Sequence, residues 1–453
     1  MKRRNFISTA VLGSASLAGG VSILNSCSPG GSSSQQSVKL VSGEELNLPP
    51  LLDKAPEGKA LRFGLIGCGG RGGGAAVNLL GAGDGLSIVA IADCLPDRLE
   101  SCRKMLNEKG QNIAPEKAYL GFDAYQKVLA SDIDAVIIAI PSRFHPAMFD
   151  AAVEAGKHVF IEKPCAVDPA GVRKFLVTAK HAEQKKLSVV CGTQRRHGKE
   201  YCATYQQVAS GLIGEILGGS CYWMTARTWF VRRKPEWTDT EYILRNWLNY
   251  PFMGGDVIVD HHIHNLDVVS WFLGNKAPVK ACGFGAKVHP SAGNKYDIFS
   301  VHYEFDNGAV IASGTRHIDG CSDNIGEYLI GQKGKTNCQD KIWDLQGNLI
   351  WEYPYEKNEK GENIPVKDHY VQEHIDWVTS IRTGKPLNEA NNMARSTLMA
   401  IMGRNSAYTG KTITWDEIMA SDDVLGPDIN AMGKVDYSDV HPLPGAASQA
   451  HEA

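Results

Sequence analysis

The stretch that most restricts the fold is Gly67-Cys68-Gly69-Gly70-Arg71-Gly72. It is a G-x-G-x-x-G set between an apolar run, "KALRFGLIG", and a segment of small residues reaching to about Leu80. At that spacing the first glycine makes a tight strand-to-helix turn, the second lets backbone approach a pyrophosphate, and the third lets the helix pack on the strand. The next apolar run, "LSIVAIAD", ends about twenty residues on in Asp93, where a carboxylate takes ribose hydroxyls and repels a 2′-phosphate. Together these features predict a dinucleotide fold that takes NAD in preference to NADP, with Gly67, Gly69, Gly70, Arg71, Gly72 and Asp93 at the cofactor. Read alone, Asp93 also serves as a helix cap for the segment that follows it.

The alternation continues down the chain. "DAVIIAI", "HVFIEKP" and "LSVVCGTQ" are short runs apolar on both faces, separated by amphipathic helical stretches, which indicates a buried, doubly wound parallel sheet over residues 58–190. Beyond about residue 212 the runs lengthen, alternate with period two and are broken by turn signals such as Asp306-Asn307-Gly308 and Gln346-Gly347-Asn348. Residues 191–425 therefore read as an α+β domain with a large, open, mostly antiparallel sheet. Helical spacing returns in "DHYVQEHIDWVTSIRTG" and "NNMARSTLMAIMGRNSAYTG", segments able to pack back on the first domain, and 426–453 reads as an extended tail. Net charge of −3 over 453 residues leaves no basic face for a phosphate backbone, so nucleic acid is excluded as a partner.

The first 27 residues read as an export signal. Lys2, Arg3 and Arg4 precede Phe6-Ile7 in a twin-arginine-like order, and the apolar stretch from Ala10 to Ile23 is too short and too rich in Gly and Ser for an ordinary membrane span. Leu24-Asn25-Ser26-Cys27 approximates a lipobox, which marks Cys27 for lipidation and predicts a periplasmic protein held to the membrane only through its N-terminus. Residues 28–57 are rich in Ser, Gly and Pro and suit a tether. The other ten cysteines fall singly, with no C-x-x-C pair, a pattern of isolated buried thiols rather than a disulfide framework.

The densest set of titratable residues is "GGDVIVDHHIHNLD", residues 254–267. On a helix Asp260, His264 and Asp267 stand at i, i+4 and i+7 and point together, with His261 beside them. A His262-x-His264 pair chelates a metal on a strand but diverges on a helix. The apolar positions after 257 follow helical spacing, so proton transfer is read ahead of a metal site or a structural polar cluster, and no metal is assigned.

"PSRFH" after the fourth strand, "EKP" after the fifth and this D-x-x-x-H-x-x-D motif together resemble the Gfo/Idh/MocA family of NAD(P)-dependent sugar and inositol oxidoreductases, over roughly residues 59–420. The resemblance implies that Lys163 reaches the substrate hydroxyl beside the nicotinamide, that Glu162 shapes the turn, and that Pro141 and His145 contribute to the cofactor site. Ile140 and Arg143 depart from the family's usual Thr and Asn, and His262 stands where the family usually has glycine. Arg196, in "GTQRRH", is either a substrate or cofactor contact or an interdomain salt bridge. Trp229, Trp247 and Tyr250 either stack on sugar faces or pack the domain.

The expected chemistry is oxidation of a sugar secondary hydroxyl, at C3, to a ketone, with His264 as general base, Lys163 polarising the oxygen and Asp260 orienting the sugar. An exported enzyme meets no replenished NAD pool, so the cofactor is expected to stay bound and be recycled in the site. The exported members that the chain resembles are glycoside 3-dehydrogenases and, more distantly, the NAD-dependent α-N-acetylgalactosaminidases, which oxidise, eliminate, hydrate and reduce with no net redox change. A sugar-binding lipoprotein without chemistry is the third reading. The open antiparallel sheet also predicts a homo-oligomer.

Overall fold

The computed structural model describes residues 39–290 and 292–445; the leader, Cys27, residues 28–38 of the expected tether and the end of the tail lie outside the described residues. In the first domain, β1 (Leu61–Ile66), β2 (Leu86–Asp93), β3 (Ala118–Leu120), β4 (Ala135–Ile138), β5 (His158–Ile161) and β6 (Val189–Cys191) form one parallel sheet in the order β3-β2-β1-β4-β5-β6. Helices α1 (Gly70–Leu80), α2 (Pro96–Glu108), α3 (Ala124–Leu129), α4 (His145–Glu154) and α5 (Pro169–Gln184) cover it. All four residues of β4 are withdrawn from water, which is why these strands are apolar throughout instead of alternating. The strand order reverses between β1 and β4, and the crevice beyond their C-terminal ends is where such sheets take ligands.

The second domain contains β7 (Ile216–Thr225), β8 (Lys280–Ala286), β9 (Ile298–Glu304), β10 (Val310–His317), β11 (Asn324–Gly331), β12 (Gly334–Thr336), β13 (Lys341–Asp344), β14 (Leu349–Glu352) and β15 (Ile413–Thr414). They lie in the order β14-β13-β12-β11-β7-β10-β9-β8-β15, antiparallel except for the parallel pair β7–β10. The two expected hairpin turns join β9 to β10 and β13 to β14. Along one face of the sheet lie α9 (Val257–Asp260) and α10 (Ile263–Phe272), preceded by α6 (Lys199–Ala209), α7 (Asp239–Arg245) and α8 (Pro251–Gly254).

Both C-terminal helices return to the first domain. From α11 (His369–Thr383), the fully buried Trp377 meets Phe63 of β1 edge-on at 5.3 Å. Truncating such a ring to alanine costs about 3–5 kcal/mol. The helix α12 (Ala390–Thr409) lies between α5, α10 and the sheet and is buried almost all round, so it carries no single apolar stripe. A short α13 (Trp415–Ala420) follows it, and from there to residue 445 the chain has no regular element.

Two expectations change. The described part of the tether is laid against the body: Val41 exchanges hydrogen bonds with Ser210 and Gln206 of the α6 end at 2.9 and 2.7 Å, and Gln372 of α11 donates to the Leu52 carbonyl at 3.0 Å. Ala55 is buried there, while Leu46, Leu48 and Leu51 pack on the core, giving a Ser/Gly-rich stretch enough apolar contact to dock. The cysteines from Cys68 to Cys338 are all free, but Cys282 and Cys321 are exposed, because β8 turns Cys282 outward and Cys321 sits in a loop.

Candidate active site

At the β1–α1 turn Gly67 has φ +95°, and a Cβ there would strike the Ala139 carbonyl. A Cβ on Gly72 would strike the Gly67 carbonyl, whereas Gly70 faces open space. No side chain caps the N-terminus of α1, so its first N–H groups are left for an anion. These features fit the pyrophosphate of a dinucleotide. Asp93 accepts from the Cys68 amide at 2.7 Å and the Leu95 amide at 2.8 Å. One carboxylate thus joins the glycine loop to Leu95, the N-cap of α2, without itself capping the helix, and each of its oxygens keeps a lone pair at the cavity it lines.

Beyond the loop, Arg71 forms the floor. Its guanidinium pairs with Glu162 and with Glu373 of α11 (2.9 Å), under the Tyr370 ring at 4.5 Å. After β5, the neighbouring Lys163 crosses to the second domain, where its Nζ donates to the Asp260 carbonyl at 2.6 Å and lies 3.4 Å from Asp260 Oδ2. His261 Nε2 is also 3.4 Å from that oxygen, while Asp260 Oδ1 is buried without a partner. Burial pushes the Asp260 carboxyl up, opposed by the Lys163 ammonium.

The turn that delivers Asp260 is tightly built. Gly255 (φ +82°) and Asp256 (φ +80°) both take left-handed backbone, and for a non-glycine residue that conformation is strained. Asp256 is held in it by accepting from Val257 N at 2.5 Å, Tyr296 N at 2.8 Å and Tyr408 Oη at 2.5 Å.

The helix predicted to run through Asp267 is interrupted at His261–His262. The His262 amide reaches back five residues to the Val257 carbonyl (3.1 Å), and the His264 amide only three, to His261 (3.3 Å). This widened turn, of the kind called a π-bulge, re-aims the side chains. Asp260, His261 and His264 line the cavity together, but Asp267 does not join them. His262 points the opposite way and bonds Ser313 Oγ at 2.7 Å, near Cys221 Sγ at 3.6 Å, so it fastens the bulge to β7 and β10 behind the site. Trp223 of β7 stacks on both facing imidazoles, 5.5 Å from His261 and 5.7 Å from His264, and His317 stacks on His261 at 5.0 Å. Burial, reinforced by Lys163, holds His264 neutral, far below the ordinary histidine range, and pushes His261 down to about 3.

One cavity of about 980 Å³ runs from the glycine loop and Asp93 to Lys163, Asp260 and His264; Pro141, Glu162, Trp229 and Trp247 line it too. Three sequence assignments fall outside it. His145 is fully buried behind the wall, its ring bridging the carbonyls of Pro164 (2.6 Å) and Ile140 (2.9 Å), so it positions the lining loops instead of touching the cofactor space. Arg196 is locked onto Asp267 by two bonds of 2.7 and 2.9 Å and lies over Trp271, an ion pair between the 194–197 turn and α10. Tyr250 is fully buried against Phe252 and Tyr437. Trp223 and Tyr370 are among the lining residues that went unread. Trp223 has only the weak signal of period-two alternation in β7, and Tyr370, almost 300 residues from Arg71 in the chain, has none. Among the described residues, no three His, Cys, Asp or Glu side chains gather closely enough to hold a metal.

Residues 61–191 match the model of the GFO/IDH/MocA oxidoreductase family's NAD-binding Rossmann fold, and residues 201–319 match the GFO/IDH/MocA C-terminal domain. The chain is 25% identical over 338 residues to a myo-inositol 2-dehydrogenase of Thermotoga maritima, covering 72% of this chain and 90% of that one. It is 28% identical over 296 residues to a glycosyl hydrolase family 109 protein of Shewanella pealeana, covering 63% of this chain and 61% of the relative. In fold it is similar to scyllo-inositol dehydrogenase from Lactobacillus casei, solved with bound NAD(H) and scyllo-inositol: TM-score 0.58, 21% identity, 79% of this chain and 99% of the other.

Proposed function

Because the chain belongs to the GFO/IDH/MocA oxidoreductase family, we propose that it oxidises a secondary hydroxyl of a sugar or glycoside, at C3, using NAD(H) that stays in the site and is recycled there. It is an NAD-dependent oxidoreductase acting on CH–OH groups of sugar-like substrates. The observation that carries the finer reading is the single cavity joining a dinucleotide cradle to Lys163, Asp260 and His264, with Trp223, Trp229 and Trp247 along its wall. Indole faces suit the C–H face of a sugar ring.

When bound, NAD supplies the acceptor for the hydride that leaves the carbinol carbon. His264 takes the hydroxyl proton at its neutral imidazole, and the Lys163 ammonium stabilises negative charge developing on the same oxygen. Asp260, with Oδ1 unpartnered, accepts from a neighbouring hydroxyl and sets which carbon faces the base. Trp223 keeps the two imidazoles in place and excludes water from one side.

The arginine-rich leader and Cys27 are read as export and lipidation signals of a periplasmic, lipid-anchored protein, the setting in which a retained cofactor is required. A second reading, redox-neutral glycoside cleavage, is favoured by the likeness to glycosyl hydrolase family 109 proteins and by two imidazoles facing one cavity. Incubating the purified protein with a glycoside panel and following keto-sugar and free monosaccharide by mass spectrometry separates the two. A 3-keto-glycoside supports the first reading and net release of monosaccharide the second; no conversion of any panel member defeats both.

A further inference from the structure

We propose that the segment running from α7 to Gly254, tied down by the C-terminal tail, is a strap that closes the ribose end of the cofactor groove and holds NAD(H) in place. This rests on the reading of an internally recycled cofactor and names the residues that retain it.

At the Asp93 end of the cavity the wall is not made by the first domain alone. Leu244 and Trp247, from the second domain, line it together with Asp93, Leu95 and Phe122. By the geometry of dinucleotide folds, an acidic residue at the end of β2 meets the adenosine ribose, so these side chains lie over that part of the groove. The strap reaches the first domain through Arg245, whose two terminal nitrogens bond Asp97 at the start of α2 at 3.0 and 2.8 Å. Glu241 at 2.9 Å and the Trp237 ring at 4.7 Å fix the same guanidinium from behind. Beneath the bridge, Leu95 packs with Ile243, Leu244, Tyr250, Phe252 and Met253 as one buried apolar cluster.

The tail locks the strap from outside. Thr240 Oγ1 donates to the Ala431 carbonyl at 3.0 Å, and Ile429 enters the apolar cluster. Arg143, the residue that departs from the family's usual asparagine, donates to the Leu425 carbonyl and to that of Phe252 at 3.4 Å, so it ties the β4–α4 connection to both strap and tail. An ion pair with one partner as exposed as Asp97 contributes little by itself. Its place across the groove gives it a kinetic role: the bridge and the cluster beneath have to part before a cofactor held under them leaves.

The test reads release, not turnover. Protein loaded with NADH is chased with excess NAD while the bound fluorescence decays. Arg245→Glu sets like charge against Asp97 and Glu241 and is expected to speed NADH release at least about tenfold. The charge swap Asp97→Arg/Arg245→Glu is expected to slow release again, and Thr240→Val, which removes the hydroxyl's bonds to the Ala431 and Gly433 carbonyls and so loosens the tail on α7, to speed it while leaving the bridge intact. Thermal unfolding of each cofactor-free variant near the wild-type midpoint identifies those that are folded. Release from wild type within seconds, unchanged release in folded Arg245→Glu and Thr240→Val, or a swap as fast as the single variant overturns the strap. No sugar is consumed, so failure to oxidise any glycoside leaves this result standing, and an absent strap leaves the sugar chemistry standing.

Discussion

Lys163 Nζ lies 2.6 Å from the Asp260 carbonyl oxygen and 3.4 Å from its carboxylate, so an ammonium from the first domain is fixed to the last residue of α9 in the second. The contact holds the cation at the cavity that Asp260 and His264 also line. It also makes Lys163 structural, because Asp260 is buried and has few other partners.

Replacing Lys163 with methionine is therefore expected to remove turnover and to lower stability by about 3 kcal/mol, the cost of leaving a buried carboxylate without its cation. Adding Asp260→Asn to Lys163→Met should return part of that loss. Urea unfolding of the two single variants and the double variant measures the coupling, and strictly additive losses would contradict the pairing.

His264→Ala is expected to lower kcat by about 10²–10⁴ while leaving NAD binding within about twofold, since the ring lines the cavity beside Lys163 and Asp260, the residues proposed to meet the sugar. Stopped-flow reduction of bound NAD, alongside NADH titration, reads the two effects separately. A variant turning over at near the wild-type rate would remove His264 from the chemistry.

Arg196 and Trp223 should behave in opposite ways. Arg196→Ala leaves the buried Asp267 with only Ser396 at 2.7 Å, so stability falls by about 3–5 kcal/mol while KM of the folded fraction is unchanged. Trp223→Ala removes the wall residue on which both imidazoles stack, and KM is expected to rise about tenfold or more, by analogy with a lost aromatic platform. Steady-state kinetics beside thermal melts distinguishes them.

The pH dependence of stability should carry the mark of His197, buried between Asp376 at 2.8 Å and Glu389 at 3.0 Å. Despite burial, the two carboxylates raise His197 well above its ordinary 6.5. Its contribution is fully present below 6.5 and is lost as pH rises through the raised value. Against the opposing effect of burial, His197 lowers Glu389 from 4.5, so that contribution is present above 4.5 and is lost as pH falls through the lowered value. Unfolding free energy measured from pH 4 to 10 should fall on the alkaline side, and His197→Gln should flatten that limb. An unaltered limb would mean that the imidazole is not the titrating group.

Much of the first domain was legible because its signals are local. A glycine loop, an aspartate closing the next strand and short runs apolar on both faces each report on a few neighbouring residues, and a buried parallel sheet leaves no other use for them. Lys163 entered only through the resemblance that "EKP" helps to carry, and His264 through that resemblance and its spacing from Asp260. The geometry around them was not legible. His262 escaped explanation because one i−5 bond moves it behind the site, and no periodicity in "DHHIH" announces a widened turn. Arg196 was left open between a substrate or cofactor contact and a salt bridge, and Asp267 was set on one face with Asp260 and His264; 71 positions apart, the two pair with each other.

The sequence by itself determined a Rossmann domain for NAD, a second mostly antiparallel domain, and the residue types that meet at the site, because strand burial, turn geometry and charge act over a few residues. Tertiary structure alone decided which of those residues share the cavity. Trp223 enters from a central strand, Tyr370 from a returning helix, and Leu244 and Trp247 from the strap. Their positions follow from how two sheets and α12 pack into one body, where contacts join residues hundreds of positions apart and local pattern carries no record of the pairing.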